Sequence, residues 1–259
     1  MDVYLKSIWM FVKSELEYKI SFILTMIGSA LATLFAILGA VFLLQKFGPV
    51  GGWSIEEVML TTGIAVFGHS FTEIFLQGLN HLHMKVKSGI LDQMMTRPRL
   101  VLFQAICSDF QANKIGRLIE AIIMIVYGVT HINVEWTMYK ILVFVLILVG
   151  VNILFASLLI LKAAFCFWTI DGMELMNILQ EGGRDLSSYP ISIYKDWFAK
   201  FFTYVVPFGM INYFPLMYLL GKGDVPFWYG LAPILVLPFF IAMIAVWMAG
   251  LKSYNSTGS

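Results

Sequence analysis

The chain has 259 residues, of which 59% are hydrophobic, 15% aromatic and only 13% charged. An ordinary soluble domain carries about 25% charged residues, so this composition excludes that class. The 17 Lys and Arg against 16 Asp and Glu leave a net charge of +1, so the chain has no basic field that would hold a nucleic acid. Several nearly uncharged stretches reach the roughly 20 residues with which a helix crosses a bilayer, which predicts an all-α, multi-pass membrane protein.

The amino-terminal segment, 1–19, has apolar residues on one helical face and polar residues on the other. This pattern predicts a helix that lies in the membrane interface. The apolar segments that follow predict six membrane spans, at 20–44, 55–79, 113–130, 139–161, 163–180 and 230–251. Residues 1–259 are therefore interpreted as a single transmembrane domain.

Small residues recur at every fourth position of the first span and form a groove along one helical face. These residues are Gly28, Ala32, Ala36 and Ala40. Such a groove lets a second helix approach closely in lipid. Two interpretations follow: an interface with another subunit, or packing within the same chain.

Titratable side chains occur inside two of the predicted spans. The second span carries His69, Glu73 and Gln77 at successive i, i+4 positions, and the fifth carries an acidic face formed by Asp171, Glu174 and Glu181. Because an isolated charge in a bilayer costs a few kcal/mol or more, both sets must face protein or water. The second-span set either has a role in coupling or substrate contact, or forms interhelical hydrogen bonds. The fifth-span set either lines a pathway or pairs with basic residues such as Arg117 or Lys162.

The polar segment between the second and third spans predicts a short amphipathic helix over 85–99. Val86, Ile90 and Met94 repeat every four residues, and Pro98 stops the helix. Such a helix is suited to insertion into a groove on a soluble partner. A second interfacial helix is the alternative.

Segment 187–222 is apolar enough to span but contains Pro207 and Pro215, which interrupt helices. We favour an external re-entrant helical hairpin here, which gives six spans, over a seventh span. The distribution of Lys and Arg then places both termini in the cytoplasm. No phosphate-binding loop, metal-ligand motif or nucleophile motif occurs, so we expect no catalytic residue and no metal site in this chain.

In these segments the chain resembles the ABC-2 type transporter permeases, and in particular a bacterial branch of them. The resemblance is carried by motifs spread over most of the sequence: Gly89-Ile90-Leu91-Asp92 with Arg97-Pro98, Phe167-Trp168-Thr169 with Asp171, Tyr189-Pro190 with Tyr194, Val206-Pro207, Asn212-Tyr213-Phe214-Pro215 and Tyr254-Asn255-Ser256-Thr257-Gly258. It implies six spans, an amino-terminal interfacial helix, a cytoplasmic coupling helix at 85–99 and an external re-entrant hairpin at 187–222.

The resemblance also implies a function. The chain would be the permease subunit of an ATP-driven exporter in the bacterial cytoplasmic membrane, paired with a second permease, with a heterodimer favoured over a homodimer. ATP and Mg²⁺ would bind a separate ATPase subunit, and this chain would hold no cofactor. The residues expected to couple to that ATPase are Gly89, Ile90, Leu91, Asp92, Met94, Arg97 and Pro98. Those expected to shape the hairpin are Pro190, Pro207, Asn212 and Pro215.

Two hypotheses from other classes remain open at this stage. An intramembrane enzyme would use Glu73, Asp171 or Glu174 as acid or base. A non-transporting anchor would only recruit an ATPase to the membrane. The transported substrate is not indicated by the sequence.

Overall fold

The structure is a computed structural model that describes residues 2–47, 52–169 and 173–254. Within these ranges every regular element is a helix and none is a β-strand, which confirms the all-α prediction. Asp171 and the motif at 255–258 lie outside the described residues. So do the side chains of Ala36, Ala40 and Glu174.

The α-helices are numbered in chain order. They are α1 (Asp2–Glu17), α2 (Lys19–Phe47), α3 (Ile55–Phe75), α4 (Gln77–Asn80), α5 (Leu82–Lys87), α6 (Ile90–Met95), α7 (Val101–Ile106), α8 (Ile115–His131), α9 (Met138–Phe165), α10 (Met173–Ser187), α11 (Asp196–Lys200), α12 (Phe214–Leu220) and α13 (Val236–Ser253). Shorter 3₁₀ or π turns occupy Ala112–Lys114, Ile191–Ile193, Phe201–Val205, Gly209–Tyr213 and Phe227–Leu235.

Membrane-crossing length is met by three of the described helices. These are Ile55–Phe75, Met138–Phe165 and the continuous helix Phe227–Ser253. Two further pairs of helices meet the same test but are sharply bent, and counting each pair as one span gives five. The all-helical membrane architecture is therefore shown, while the six-span arrangement stays a prediction.

The helix boundaries between the predicted fourth and fifth spans differ from those that the sequence indicates. The spans predicted at 139–161 and 163–180 place a break at Lys162, but α9 continues through this residue to Phe165. The next described helix, α10, begins at Met173 and has 15 residues with an amphipathic pattern, so the described residues of 163–180 do not form one helix. A fifth span in this region stays a prediction. Lys162 is only 4% exposed and finds a polar partner inside the bundle, which is why the helix does not end at this charge.

Helix α9 lies at the centre of the bundle and packs against α3, α10, α12 and α13. Its first two thirds join one apolar core, together with α3, α12 and the turn around Phe208. Its last third, with Ala163 and Ala164, joins a second core that includes Leu82 of α5, Leu91 of α6 and Trp247 of α13. One helix therefore connects the short helices α4–α7 to the rest of the bundle.

The segment predicted as a re-entrant hairpin consists of two helical stretches bent by 79°, Asp196–Val205 and Gly209–Leu220. Pro207 lies at the bend, as expected for a residue without a backbone N–H. Pro215 does not break the stretch Gly209–Leu220, because it lies in the first turn of α12, where the π turn Gly209–Tyr213 passes into the α-helix. Asn212 is buried and donates from Nδ2 to the carbonyl of Ser187 at 3.0 Å.

The amino-terminal helix α1 meets α2 at an angle of 100°. The hydroxyl of Tyr4 donates to the carbonyl of Phe75 at 2.7 Å, and Ile8 and Val12 pack beside Phe110. These contacts place α1 across the end of the bundle that α4–α7 also occupy, which we call the α1 end. The opposite end, formed by the bent pair, is called the hairpin end.

Candidate functional site

The segment predicted as one coupling helix over 85–99 forms two helices. α5 ends at Lys87, and α6 begins only after Gly89, whose φ of 71° is left-handed. Glycine adopts this conformation without the steric cost that a Cβ imposes, and an α-helix cannot continue through it. The single helix is therefore wrong, and we call the pair α5–α6 the coupling segment.

Some apolar residues of the coupling segment are buried within this chain, and others are exposed. Leu91 is fully buried and Met94 is 7% exposed, so both side chains lie inside this chain. Ile90 and Met95 are 41% and 44% exposed, and Leu100 just beyond them is also exposed. The outward apolar surface therefore includes Ile90, Met95 and Leu100, together with Met84 of α5, which is 57% exposed. Of these, the sequence analysis singled out only Ile90.

The remaining expected coupling residues lie around this surface. Asp92 is half-buried on α6, and Arg97 and Pro98 are exposed in the turn that follows it. The turn is closed by a hydrogen bond from the Arg99 N–H to the Arg97 carbonyl at 2.7 Å. Their contact with an ATPase stays a prediction.

A network of hydrogen bonds joins the coupling segment to the bundle; we call it the α4 network. Its side chains are Gln77, Asn80, His81, Lys85, Ser108, Asp109 and Lys162. Lys162 of α9 donates to Asn80 Oδ1, and Lys85 of α5 donates to Ser108 Oγ at 2.5 Å. His81 Nδ1 lies 2.5 Å from Asp109 Oδ2. These bonds tie α4, α5 and the loop after α7 to the end of α9.

The pKa values of Asp109 and Lys85 in the α4 network are shifted. Burial alone would raise the pKa of Asp109, but the hydrogen bond to His81 and the nearby charges of His81 and Lys85 outweigh it, so this pKa lies below its ordinary value. Burial lowers the pKa of Lys85. The network therefore holds Asp109 as a carboxylate in a partly desolvated position.

A second group of charged side chains links α3 to α8 and to α10; we call it the charged cluster. Its members are His69, Glu73, Lys114, Arg117, Glu181 and Arg184. Arg117 Nη1 lies 3.0 Å from Glu73 Oε2, and Arg184 Nη1 lies 2.9 Å from Glu181 Oε2. His69, only 1% exposed, stands between the two carboxylates, at 3.6 Å from Glu73 and 3.4 Å from Glu181.

The charged cluster contains residue types that bind metals, since ligand atoms of His69, Glu73 and Glu181 lie within 4.8 Å of one another. The geometry favours ion pairing instead. Glu73 approaches the Nδ1 edge of the imidazole and Glu181 the Nε2 edge, whereas one metal ion binds a single ring nitrogen. Arginines also neutralise both carboxylates. The ion pairs of the charged cluster therefore join α3 to α8 and to α10.

The titratable residues that the sequence analysis assigned to the second and fifth spans are grouped differently in the structure. Gln77 leaves the His69 and Glu73 face because α3 ends at Phe75, and it bonds His81 instead. Glu181 joins the second-span pair, which no spacing along one helix reveals. The sequence analysis missed Arg184 and the α4 network; the clue was that a basic residue within an apolar run, such as Lys162, requires a buried acceptor.

The groove of small residues is uncovered where the structure describes it. A Cβ added to Gly28 would meet nothing within 4 Å, and Ala32 is exposed. Helix α2 instead approaches α8 through Met26 and Ala30, beside Gly116. Packing within the chain therefore does not use this part of the groove.

Comparison with protein families now identifies the chain. The model of the ABC-2 family transporter proteins matches residues 30–258, nearly the whole sequence. The chain belongs to the ABC-2 transporter family. Searches of curated proteins and of solved structures found no significant match. As a family member, this transporter chain is a multi-pass membrane protein with a permease role.

Proposed function

We propose that this ABC-2 family chain is the permease subunit of an ATP-driven exporter. It lies in the bacterial cytoplasmic membrane with both termini in the cytoplasm, and it pairs with a second permease, preferably a different one. A separate subunit binds ATP and Mg²⁺ and hydrolyses the nucleotide. This assignment places the α1 end and the coupling segment on the cytoplasmic side.

The observation that carries this proposal is the construction of the coupling segment. It presents Ile90 and Met95 outward while Leu91 anchors it in the second apolar core. The α4 network connects α4, which directly precedes the coupling segment, to α9 through the hydrogen bond from Lys162 to Asn80. A segment that offers an apolar surface to a partner and is firmly bonded to the central helix is suited to pass a displacement from an ATPase into the bundle.

The mechanism follows from these connections. ATP binding closes the two nucleotide-binding subunits and moves the coupling segments with them. Helix α9 carries this movement towards the hairpin end, because it packs against both apolar cores. The two permeases then change their relative orientation, and ATP binding biases which of two arrangements is populated. The open face at Gly28 and Ala32 supports α2 as the contact with the second permease.

The two other hypotheses find less support in the geometry. Glu73 pairs with Arg117, so it is not a free acid or base for an intramembrane enzyme. The other two candidates, Asp171 and the side chain of Glu174, lie outside the described residues. A non-transporting anchor would need the apolar surface of the coupling segment but not its bonds to the bundle. Absence of ATP-dependent movement at the hairpin end, in a complex that still forms, would favour the anchor.

Two variants with opposite expected effects on ATPase binding and on stability test the proposed contact with the ATPase. The double variant Ile90→Lys/Met95→Lys changes exposed side chains, so we expect the ATPase to be lost from the purified complex with no change in melting temperature. Leu91→Ala removes buried methyl groups, which costs about 2–5 kcal/mol of stability, but leaves the exposed surface in place. It should lower the melting temperature and retain the ATPase. Retention of the ATPase by the double variant would overturn the assignment.

A further inference from the structure

Side chains of the α4 network form a continuous series of hydrogen bonds from α9 to the loop after α7; we call this series the polar chain. Lys162 donates to Asn80 Oδ1, and Asn80 Nδ2 donates to Gln77 Oε1 at 3.4 Å. Gln77 Nε2 lies 3.0 Å from His81 Nε2, and His81 Nδ1 lies 2.5 Å from Asp109 Oδ2. The polar chain thus joins a cation on α9 to an anion after α7 through two amides and an imidazole.

The two ends of the polar chain fix the direction of every hydrogen bond between them. A lysine ammonium only donates and a carboxylate only accepts, so donation runs from Lys162 towards Asp109. The amide of Asn80 therefore points Oδ1 at Lys162, and the amide of Gln77 points Nε2 at His81. Because two donors cannot share a hydrogen bond, His81 Nε2 is the acceptor of the Gln77 N–H. The imidazole is therefore neutral and donates its one proton, on Nδ1, to Asp109.

A proton added to His81 Nε2 gives the polar chain one donor too many. The new N–H of the imidazolium faces the N–H of Gln77. Rotating the Gln77 amide moves the conflict to Asn80, and rotating the Asn80 amide moves it to Lys162, which has no acceptor. Protonation therefore costs one hydrogen bond of the chain, whichever way the amides turn. Histidine is the side chain whose charge ordinarily changes between about pH 5 and pH 8, and His81 is partly exposed to solvent.

The charges around His81 do not replace the lost hydrogen bond. The pKa of Asp109 lies below its ordinary value, so this carboxylate stays charged in mild acid and attracts an imidazolium. It already accepts the Nδ1 proton of the neutral ring, however, and Lys85 counters part of its charge. The charged and titratable groups around the pair formed by His81 and Asp109 are Lys85 and His83 of α5, Lys162 of α9 and Glu15 of α1. An imidazolium therefore lies among several basic groups.

We propose that the polar chain is a pH-sensitive switch in which His81 controls how firmly α4 and the coupling segment are held. With neutral His81 the hydrogen bonds are complete, and α4 is held between Lys162 and Asp109. With protonated His81 one bond is lost and residues 77–87 are held less firmly. The switch is a property of this chain and needs no ATPase. In the proposed exporter, a fall in cytoplasmic pH weakens the coupling of ATP hydrolysis to transport, and only this consequence rests on the proposed function.

The test is hydrogen exchange of the purified full chain in mild detergent at about pH 8 and about pH 5.5, with each rate divided by that of an unstructured peptide at the same pH. In the wild type, protection of residues 77–87 should fall about threefold to tenfold in acid, the size expected for one hydrogen bond, while α13 stays unchanged. His81→Gln keeps a donor and an acceptor but takes up no proton, so it should show no fall. His83→Gln is the matched control and should keep the wild-type fall, because His83 donates to the Asn80 carbonyl in either charge state.

Gln77→Glu distinguishes the switch from a merely structural role, because it should reverse the sign of the response. The new carboxylate accepts from Asn80 and from protonated His81, so the hydrogen bonds are complete in acid. At about pH 8 the neutral imidazole has only one proton for two carboxylates, so protection of residues 77–87 should be lower there than at about pH 5.5.

Four results would overturn the proposal. They are an unchanged protection in wild type, a fall of wild-type size in His81→Gln, loss of the fall in His83→Gln, or a fall in acid in Gln77→Glu. Because two different variants remove or reverse the response, misfolding of one of them does not decide the outcome. No ATPase takes part in these measurements, so their outcome is independent of the coupling variants.

Discussion

Lys162 of α9 donates a hydrogen bond from Nζ to Oδ1 of Asn80 in α4. With the second apolar core, this hydrogen bond holds the short helices at the α1 end against the central helix. Lys162 is almost completely buried, beside Ala163 and Ala164, and burying a cation is unfavourable unless it is well hydrogen-bonded. The pair therefore fixes the position of α4 relative to α9.

Loss of this contact should loosen the coupling segment selectively. Lys162→Met preserves most of the side-chain length but removes the donor, so Asn80 loses its partner. We expect faster hydrogen exchange in residues 77–87 and unchanged exchange in α13. Lys140→Met, at the other end of α9, is the matched control and should change neither region. Unchanged exchange in 77–87 would show that the pair does not hold α4.

The contact between α4 and α7 has no room for a side chain at Gly78. A Cβ there would overlap the carbonyl oxygen of Ala105, so Gly78→Ala must displace α7. We expect a lower melting temperature and a fall of about 1–3 kcal/mol in the free energy of unfolding, as for other overpacked sites. Gly182→Ala on α10 meets open space and should stabilise by about 0.5–1 kcal/mol. The same sign of change in both variants would contradict the packing described.

Replacing the arginine of each ion pair in the charged cluster should lower the free energy of unfolding by a different amount. Glu73 is 12% exposed, so Arg117→Met leaves a largely buried carboxylate without its closest cation and should destabilise by about 3–5 kcal/mol. Glu181 is 49% exposed, so Arg184→Met should cost about 0–1 kcal/mol. Thermal unfolding in detergent measures both. Adding Glu73→Gln to Arg117→Met should recover part of the loss; no recovery would indicate that Arg117 acts through another group.

The α4 network predicts a loss of stability in acid. Because the pKa of Asp109 is lower in the folded chain than in the unfolded one, its contribution is fully present above the unfolded value of about 3.9. It disappears as the pH falls through the lower, folded-state pKa. Asp109→Asn should therefore destabilise the protein at pH 6 and flatten the fall in melting temperature below pH 4. An equally steep acid loss in this variant would assign it to other carboxylates.

The sequence predicts the long apolar helices well because their composition reflects the solvent around them. Helix α9, predicted over 139–161, extends from Met138 to Phe165. Two of the departures from the sequence analysis arise where a local signal is overridden by tertiary contacts. The predicted spans break at Lys162, since its acceptor, Asn80, lies 82 residues away along the chain and no local pattern reveals it. The coupling helix was drawn through Gly89, although a glycine followed by a new apolar repeat is equally typical of a break.

The charged cluster shows which contacts helical spacing along one sequence segment cannot predict. Helical spacing brings His69 and Glu73 together, because i and i+4 side chains share a face. It cannot indicate that Glu181, on α10, faces the other edge of the same imidazole, since that depends on how α3 and α10 pack. For the same reason the sequence suggested Arg117 as a partner of the fifth-span carboxylates, whereas Arg117 bonds Glu73 and Arg184 bonds Glu181.

The central claim is that this ABC-2 family chain works as a permease coupled to a separate ATPase. The most direct measurement is purification of the tagged chain from its native membrane in mild detergent, followed by mass spectrometry and an ATP hydrolysis assay of the purified material. We predict recovery of an ATP-binding cassette protein in stoichiometric amount, together with a second permease and ATPase activity. Recovery of the chain alone and without ATPase activity, under conditions that keep a known ABC exporter intact, would contradict the account.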